Sequence, residues 1–230
     1  MSGKILVTGG SGFVSGTLAR LALEQGHDTW VLTRGQRPAP DGAHTLVADR
    51  KDPDAFARTI QDTDSDWDLV IDCIGYQPTD AVQDIAVFRE RTPHLAFVST
   101  DFVFDPAHRR FPQAEETEHY ADAGYGGNKR LCELELLNGD CRDMAWTVIR
   151  PCHIYGPGSL LGCLPNHGRD AELLDRLRKN EALDLVGGGH FLQQPILAAD
   201  LSHLLLSLRG NTATYNQIFC AAGPDIAESR

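Results

Sequence analysis

The chain has 230 residues, with 21 Lys and Arg against 32 Asp and Glu, a formal net charge of −11, 42% hydrophobic and 23% charged residues. This balance excludes a disordered chain and one built of membrane spans, and the length suffices to bury roughly 70% of the unfolded surface in one large domain or two small ones. The acidity speaks against a nucleic-acid partner, since sequence-independent affinity comes from clustered Lys and Arg, but it leaves room for a local basic cleft that takes a phosphorylated small molecule.

The longest unbroken apolar run, Ile218 to Ala222, is far below the roughly 20 residues that cross a bilayer. Met1-Ser2-Gly3-Lys4 leads straight into a strand and not into a secretory leader. A cytoplasmic chain without a membrane partner is expected. Cys73, Cys132, Cys141, Cys152, Cys163 and Cys220 form no C-x-x-C pair, so reduced thiols are expected and neither a metal site nor a disulfide framework.

Short apolar runs alternate with segments of helical period, the βα rhythm of a parallel sheet covered by helices. In chain order, strands are expected at Lys4–Thr8, Thr29–Thr33, His44–Val47, Leu69–Cys73, Leu95–Ser99, Thr147–Arg150, near Leu183–Val186 and at Thr214–Cys220. Ala81, Val82, Ile85 and Phe88 share one helix face, as do Leu131, Leu134 and Leu137. From Gly156 to Gly189 the chain is rich in Gly, Pro, His and Asn, with one helix expected at Asp170–Asn180. That segment is a candidate substrate lid over the carboxyl ends of the strands.

The loop Thr8-Gly9-Gly10-Ser11-Gly12-Phe13-Val14-Ser15-Gly16 joins the first strand to the first helix. A pyrophosphate needs free backbone N–H groups at a helix N-terminus with no Cβ in the way, so Gly9, Ser11, Gly12, Phe13 and Val14 are candidate cofactor contacts. At the end of the second strand stands Arg34, with Arg37 near it. An acidic residue there would bond ribose hydroxyls, whereas an Arg accepts a 2′-phosphate by a bidentate charged pair. NADP is therefore expected, with NAD as the alternative. Asp49, with Arg50 beside it, ends the third strand where an adenine amino group would lie.

Tyr125 and Lys129 are four apart and share a helix face. A phenol titrates near 10 and is a poor acid or base at neutral pH unless its anion is stabilised. An ammonium about 4 Å away contributes up to roughly 4 kcal/mol at an effective dielectric of 20, before desolvation subtracts its share. Thr100, at the end of an apolar strand with Ser99 beside it, supplies a hydroxyl that can bond a substrate oxygen while Tyr125 moves the proton.

Taken in order, the Gly9/Gly12 loop, Ser99-Thr100-Asp101, Tyr125-x-x-x-Lys129 and Arg150-Pro151-Cys152-His153-Ile154-Tyr155-Gly156-Pro157-Gly158 resemble the extended short-chain dehydrogenase/reductases, a group of nucleotide-sugar epimerases, dehydratases and reductases. The resemblance runs from Lys4 to about Gly223. Ser99 to Asp105 is similar to the corresponding strand of dTDP-4-dehydrorhamnose reductase, while Thr33-Arg34-Gly35 and Asp49-Arg50 look like generic epimerase/dehydratase members. The resemblance implies an α/β fold, a Rossmann-like doubly wound parallel sheet with a small C-terminal substrate-binding lobe. Residues 1–155 would form the dinucleotide-binding core, and 156–230 a reduced substrate-binding segment interleaved with the last core helix and strand.

Carried onto these positions, the resemblance makes Tyr125 the general acid/base, Lys129 its partner and a nicotinamide-ribose ligand, and Thr100 the orienting hydroxyl. Cys73 and Gly75 would lie along the cofactor, and Pro151 to His153 would line the nicotinamide. It also implies a homodimer through the helices Thr79–Arg91 and Tyr125–Asn138. Asp101 and His153 read as ordinary loop residues before any proton relay, and His119, His167 and His190 as surface histidines. Two departures stand out. Ser15 replaces the third loop glycine, where a side chain would push the helix outward and weaken the cofactor, and Ala121-Asp122-Ala123-Gly124 replaces a proline-rich lead-in to the tyrosine.

The leading function is thus an NAD(P)-dependent oxidoreductase or epimerase acting on a carbonyl or secondary alcohol of a small molecule, with a nucleotide-linked sugar foremost. The alternative is a non-catalytic NADP-binding sensor. Only Ala221 to Arg230 follow the last strand, which reads as a truncated or minimal substrate side.

Overall fold

The computed structural model of the chain describes residues 2–159, 171–190 and 192–228. The strands β1 (Lys4–Thr8), β2 (Asp28–Thr33), β3 (His44–Val47), β4 (Leu69–Asp72), β5 (His94–Val98) and β6 (Ala145–Pro151) are followed by the short β7 (Ile154–Tyr155), β8 (Leu192–Gln193) and β9 (Ile196–Leu197), then by β10 (Gln217–Ala221) and β11 (Ala227–Glu228). The helices are α1 (Phe13–Glu24), α2 (Pro53–Gln61), α3 (Pro78–Phe88), α4 (Gly124–Asn138), α5 (Leu173–Arg178) and α6 (Ala198–Ser207). Seven strands pair in the order β10-β6-β5-β4-β1-β2-β3, every neighbour parallel. The order reverses between β1 and β4, which makes that edge the switch point where an open α/β sheet receives a ligand.

The strands are apolar on both faces because helices cover both. Leu6, Phe97 and Val148 point to one face and pack with Phe56 of α2, Phe88 of α3 and Leu136 of α4. Ile5, Val7 and Ile71 point to the other and pack with Leu18 of α1 and Leu201 and Leu205 of α6. The period-two alternation along β1 thus builds two cores from one strand. A doubly wound Rossmann-like sheet is the observed fold. Within 156–230, α6 and β10 complete it, while β8 pairs with β11 outside it and β9 pairs with β7, which precedes that range.

Three expected elements differ. No strand forms at Leu183–Val186; a 3₁₀ turn covers Val186–Gly189, and Gly188 and Gly189 at φ 64° and 86° break an extended path. The last strand begins at Gln217 and not at Thr214, because Asn211 caps a 3₁₀ turn over Thr212–Thr214, its Oδ1 accepting the Ala213 N–H at 3.3 Å, and Asn216 is left-handed at φ 56°. The helix expected at Asp170–Asn180 shortens to α5, and Asp170, like Cys163 and His167, lies outside the described residues. The five described cysteines are free thiols, and among the described residues no helix is long and apolar enough to cross a membrane.

His94 at the start of β5 is fully buried, with Nε2 2.7 Å from Thr147 Oγ1 and its ring 4.6 Å from that of Tyr215. Thr147 donates its own proton to Thr214 O at 2.6 Å, so Nε2–H of the neutral ring is the donor to Thr147. Burial pushes the imidazole down to about 4. The unfolded chain then binds the proton more readily than the folded one, so stability is complete above pH 6.5 and is lost as pH falls towards 4. The loss expected from this group is about 3 kcal/mol. Denaturant titrations at pH 7 and 4.5 should show a flatter pH dependence in His94→Phe than in the parent; equal slopes would remove His94 as the cause.

Candidate active site

The site lies beyond the carboxyl ends of β1, β4, β5 and β6. The β1–α1 loop turns sharply, with Gly9 at φ 101° and Gly10 at φ 38°, and a Cβ on Gly9 would press on Ile74 Cγ2 at 2.8 Å. At the start of α1 the N–H groups of Phe13 and Val14 have no acceptor among the described residues, and the first turn carries no acidic side chain. This cradle suits a dinucleotide pyrophosphate. Ser15 is accommodated: it is buried, and its Oγ accepts the Gly12 N–H at 3.1 Å, so the hydroxyl closes the loop on itself.

Arg34 and Arg37 are exposed just past β2, and Asp49 is exposed past β3, its Oδ1 accepting the Lys51 N–H at 3.0 Å. Arg50 departs from the reading that sets it beside the cofactor. Its guanidinium is buried and donates to Asp72 at 3.1 Å, to Asp84, and to Gln83 Oε1 at 3.3 Å. A buried guanidinium needs carboxylate partners, and these consume its donors beneath the turn that follows β4.

Thr100, buried at the end of β5, accepts the Phe102 N–H at 3.2 Å. Its side chain also faces the Tyr125 phenol closely enough to draw that phenol down. The two segments meet because α4 approaches closely: a Cβ on Gly126 would collide with the Phe102 carbonyl. Tyr125 is 50% exposed, its ring 6.2 Å from Phe102 and 6.4 Å from Tyr76.

Lys129 is buried at 2% exposure, and its Nζ donates to Gly75 O at 2.5 Å and to Val98 O at 2.7 Å. Its ammonium also lies 4.6 Å from the Phe97 ring centre and 4.9 Å from that of Tyr76. The expectation that Lys129 lowers the Tyr125 phenol is therefore not met. Burial raises the phenol above its ordinary value, the Tyr76 phenol adds to this, and Thr100 opposes it. The physical reason is that two strand-end carbonyls and two rings already hold the ammonium.

Cys73 and Gly75 follow β4 directly, and burial raises the Cys73 thiol, keeping it protonated. Pro151 ends β6, and His153 is near enough to Asp101 to favour its carboxylate. Arg109 pairs with Asp101 at 3.2 Å and covers the Phe102 ring at 5.4 Å, while burial raises Asp101. Sequence reasoning missed Asp72, Tyr76, Phe102 and Arg109. Tyr76 alone carried a signal, standing next to Gly75 at a strand end.

A parallel sheet of this order, with a glycine turn at its switch point and a Tyr/Lys helix facing a strand-end hydroxyl, is the arrangement in which Rossmann-like sheets receive a dinucleotide. The family model of the NAD dependent epimerase/dehydratase family matches residues 5–208, and the chain belongs to that family. It is similar to chloroplast stem-loop binding protein of 41 kDa b from Arabidopsis thaliana, 25% identical over 96% of this chain and 58% of that protein. It is also similar to 2-alkyl-3-oxoalkanoate reductase from Stenotrophomonas maltophilia, 27% identical over 81% of this chain and 59% of that protein. The chain thus spans under two thirds of the length of these relatives. Among solved structures, UDP-glucose 4-epimerase from Thermotoga maritima with UDP-glucose shares the fold at a TM-score of 0.75, with 20% identity, covering 98% of this chain and 79% of that one.

Proposed function

We propose that the chain is an NADP-dependent oxidoreductase or epimerase of the short-chain dehydrogenase type, acting on a carbonyl or secondary alcohol of a nucleotide-linked sugar in the cytoplasm. The observation that carries this reading is the half-exposed Tyr125 phenol facing the Thr100 hydroxyl beyond the carboxyl end of β5. When bound, the dinucleotide would supply or take up the hydride at the carbinol carbon. The N–H groups of Phe13 and Val14 would hold its pyrophosphate, with Gly9, Ser11 and Gly12 giving the backbone room. Cys73, Gly75, Pro151 and His153 would flank it, Lys129 would reach its ribose, and Asp49 its adenine. Thr100 would orient the substrate oxygen, and Tyr125 would exchange the proton with it. Residues 156–230, apart from α6 and β10, would form the substrate lobe. The exposed apolar side chains of Val82, Leu131 and Leu137 on α3 and α4 support a homodimer across those helices.

A second reading, reduction of a small oxoalkanoate, is supported by the similarity to the Stenotrophomonas enzyme. Single-turnover oxidation of NADPH against a panel of keto sugars linked to UDP or dTDP and of free 3-oxo acids tests both. Oxidation by the nucleotide-linked members alone supports the first, by the 3-oxo acids alone the second, and by neither removes the enzymatic reading.

Arg34 is exposed where the adenosine ribose of a bound dinucleotide would lie. A bond between charged groups contributes roughly 1.5–3 kcal/mol, so Arg34→Ala should weaken NADPH binding about tenfold or more and leave NADH nearly unchanged, as read by fluorescence titration. Equal loss for both would overturn the NADP assignment.

A further inference from the structure

The turn that follows β4 is tied to a buried carboxylate that the reaction does not use. Asp72, the last residue of β4, is fully buried. It accepts hydrogen bonds from Thr8 Oγ1 at the end of β1, from Arg50 Nη1 at 3.1 and 3.3 Å, and from the Ile74 N–H at 2.9 Å. Thr8 Oγ1 in turn accepts the Cys73 N–H at 3.3 Å. The backbone of Cys73 and Ile74 is thereby fastened to the Thr8/Asp72 pair. Gly75 completes the turn where a Cβ would strike Asp72 Oδ2 and, at 2.6 Å, the Phe97 ring. The carbonyl that this turn presents is the one that holds Lys129 at 2.5 Å.

Arg50 is gripped from its other side by Asp84 of α3, with Asp80 at 3.7 Å. Burial and Asp72 raise Asp84 well above the carboxylate range. Asp84 Oδ2 has no hydrogen-bond donor beside it, in keeping with that rise. Asp72 is instead held low by Arg50 and by the hydrogen bonds it accepts. The cluster therefore concentrates its buried negative charge on Asp72.

We propose that Asp72 positions Lys129: its carboxylate sets the 73–75 turn whose carbonyl holds the ammonium, and it supplies the counter-charge that this buried cation needs. Other groups around the ammonium are Cys73 and Tyr76 from the β4 turn, Arg50 from the end of β3 with Asp80 and Asp84 behind it, and Cys132 on α4, with Tyr125 one turn earlier. β5 contributes the Phe97 ring and the Val98 carbonyl. Burial draws Lys129 down, Asp72 is the largest opposing influence, and Arg50 adds to the lowering. The thiol of Cys132 is pushed up to about 12 and that of Cys73 also rises, so both are neutral at physiological pH. The consequence for turnover rests on the oxidoreductase reading above; the placement of the ammonium does not.

The chain has four lysines, Lys4, Lys51, Lys129 and Lys179, so NMR of protein labelled with ¹³C at lysine Cε resolves Lys129, assigned through Lys129→Arg. In the cofactor-free chain its midpoint should lie below those of the other three. Asp72→Asn should lower it by a further pH unit or so, since losing an opposite charge nearby disfavours the charged form, whereas Asp84→Asn should leave it nearly in place, Asp84 not being among the groups acting on the ammonium. With NADPH and substrate, Asp72→Asn should cut kcat about tenfold and move the alkaline limb of its pH profile the same way. A merely structural role would lower thermal stability without moving either midpoint. An unmoved Lys129 midpoint in folded Asp72→Asn overturns the inference, whether or not the parent turns over. Absence of turnover in the parent overturns only the functional reading. Should Asp72→Asn not fold, Thr8→Val decides, since it keeps the charge and releases the turn: a shifted Lys129 midpoint supports the positioning role and an unmoved one refutes it.

Discussion

Tyr125→Phe is expected to lower kcat by 10²-fold or more while cofactor binding stays within about twofold of the parent, since a positioned acid/base group contributes 10²–10⁴-fold. The substitution removes one hydroxyl and keeps the ring, whose neighbours at 6.2 and 6.4 Å are the aromatic side chains of Phe102 and Tyr76. The packing of α4 against the strand ends is therefore retained, and the loss reports chemistry and not folding. Direction matters as well. Burial and Tyr76 hold the phenol above its ordinary value, so Tyr125 enters the cycle protonated throughout the neutral range. A protonated phenol suits reduction, in which it donates to the developing alkoxide. The reductive kcat should accordingly be flat through neutral pH and fall only in alkali, and the oxidative kcat should rise with pH. Steady-state kinetics in both directions check this, and a variant that kept more than about a tenth of the parent kcat would remove Tyr125 from the role.

Glu133→Ala should be the most destabilising single substitution in the helix that carries the site. Glu133 and Arg150 are both fully buried. Arg150 grips the carboxylate with two bonds, Nε to Oε1 at 2.9 Å and Nη2 to Oε2 at 2.6 Å. Ser99 adds a bond to Oε1 at 2.6 Å and Arg130 one to Oε2 at 2.9 Å. Truncation leaves the Arg150 guanidinium buried with no carboxylate, beside the Glu115 carbonyl at 2.6 Å and the Phe104 and Tyr120 rings at 5.0 and 5.5 Å. Breaking a buried pair from one side costs about 3–5 kcal/mol, which for a domain of this size lowers Tm by roughly 10 °C. Calorimetry reads it directly, and a shift within a degree or two would show that the pair contributes little. Because Ser99 follows β5 and Arg150 belongs to β6, the same contacts fasten α4 to both strands. Activity should fall with stability in this variant, whereas Tyr125→Phe should separate the two.

Most of the sheet was legible because local rules governed it. Lys4–Thr8 and His44–Val47 appear with the expected boundaries, and the other core strands apart from β10 shift by a residue or two, since alternating apolar positions between two helix layers leave little choice of register. The end of the chain was read less well. At Leu183–Val186 the following glycines outweighed a short apolar run, and before Gln217 a left-handed Asn216 delayed the strand. The helix α2 went unread, although Asp52 caps it by accepting the Ala55 N–H at 3.0 Å and Pro53 opens it.

The sequence by itself determined the parallel sheet, the glycine turn at its switch point, and which side chains are chemically able to move a proton or bind a phosphate, because spacing and residue type are local properties. Only the tertiary structure decided which partners those groups meet. Arg50 and Asp49 are neighbours in the chain, yet one is buried among carboxylates and the other exposed. Tyr125 and Lys129 share a helix face, yet the ammonium is held by carbonyls from the β4 turn and β5 while the phenol meets Thr100. Charge, burial and hydrogen bonding are set by what other segments bring to the same point, and no spacing along one segment encodes them.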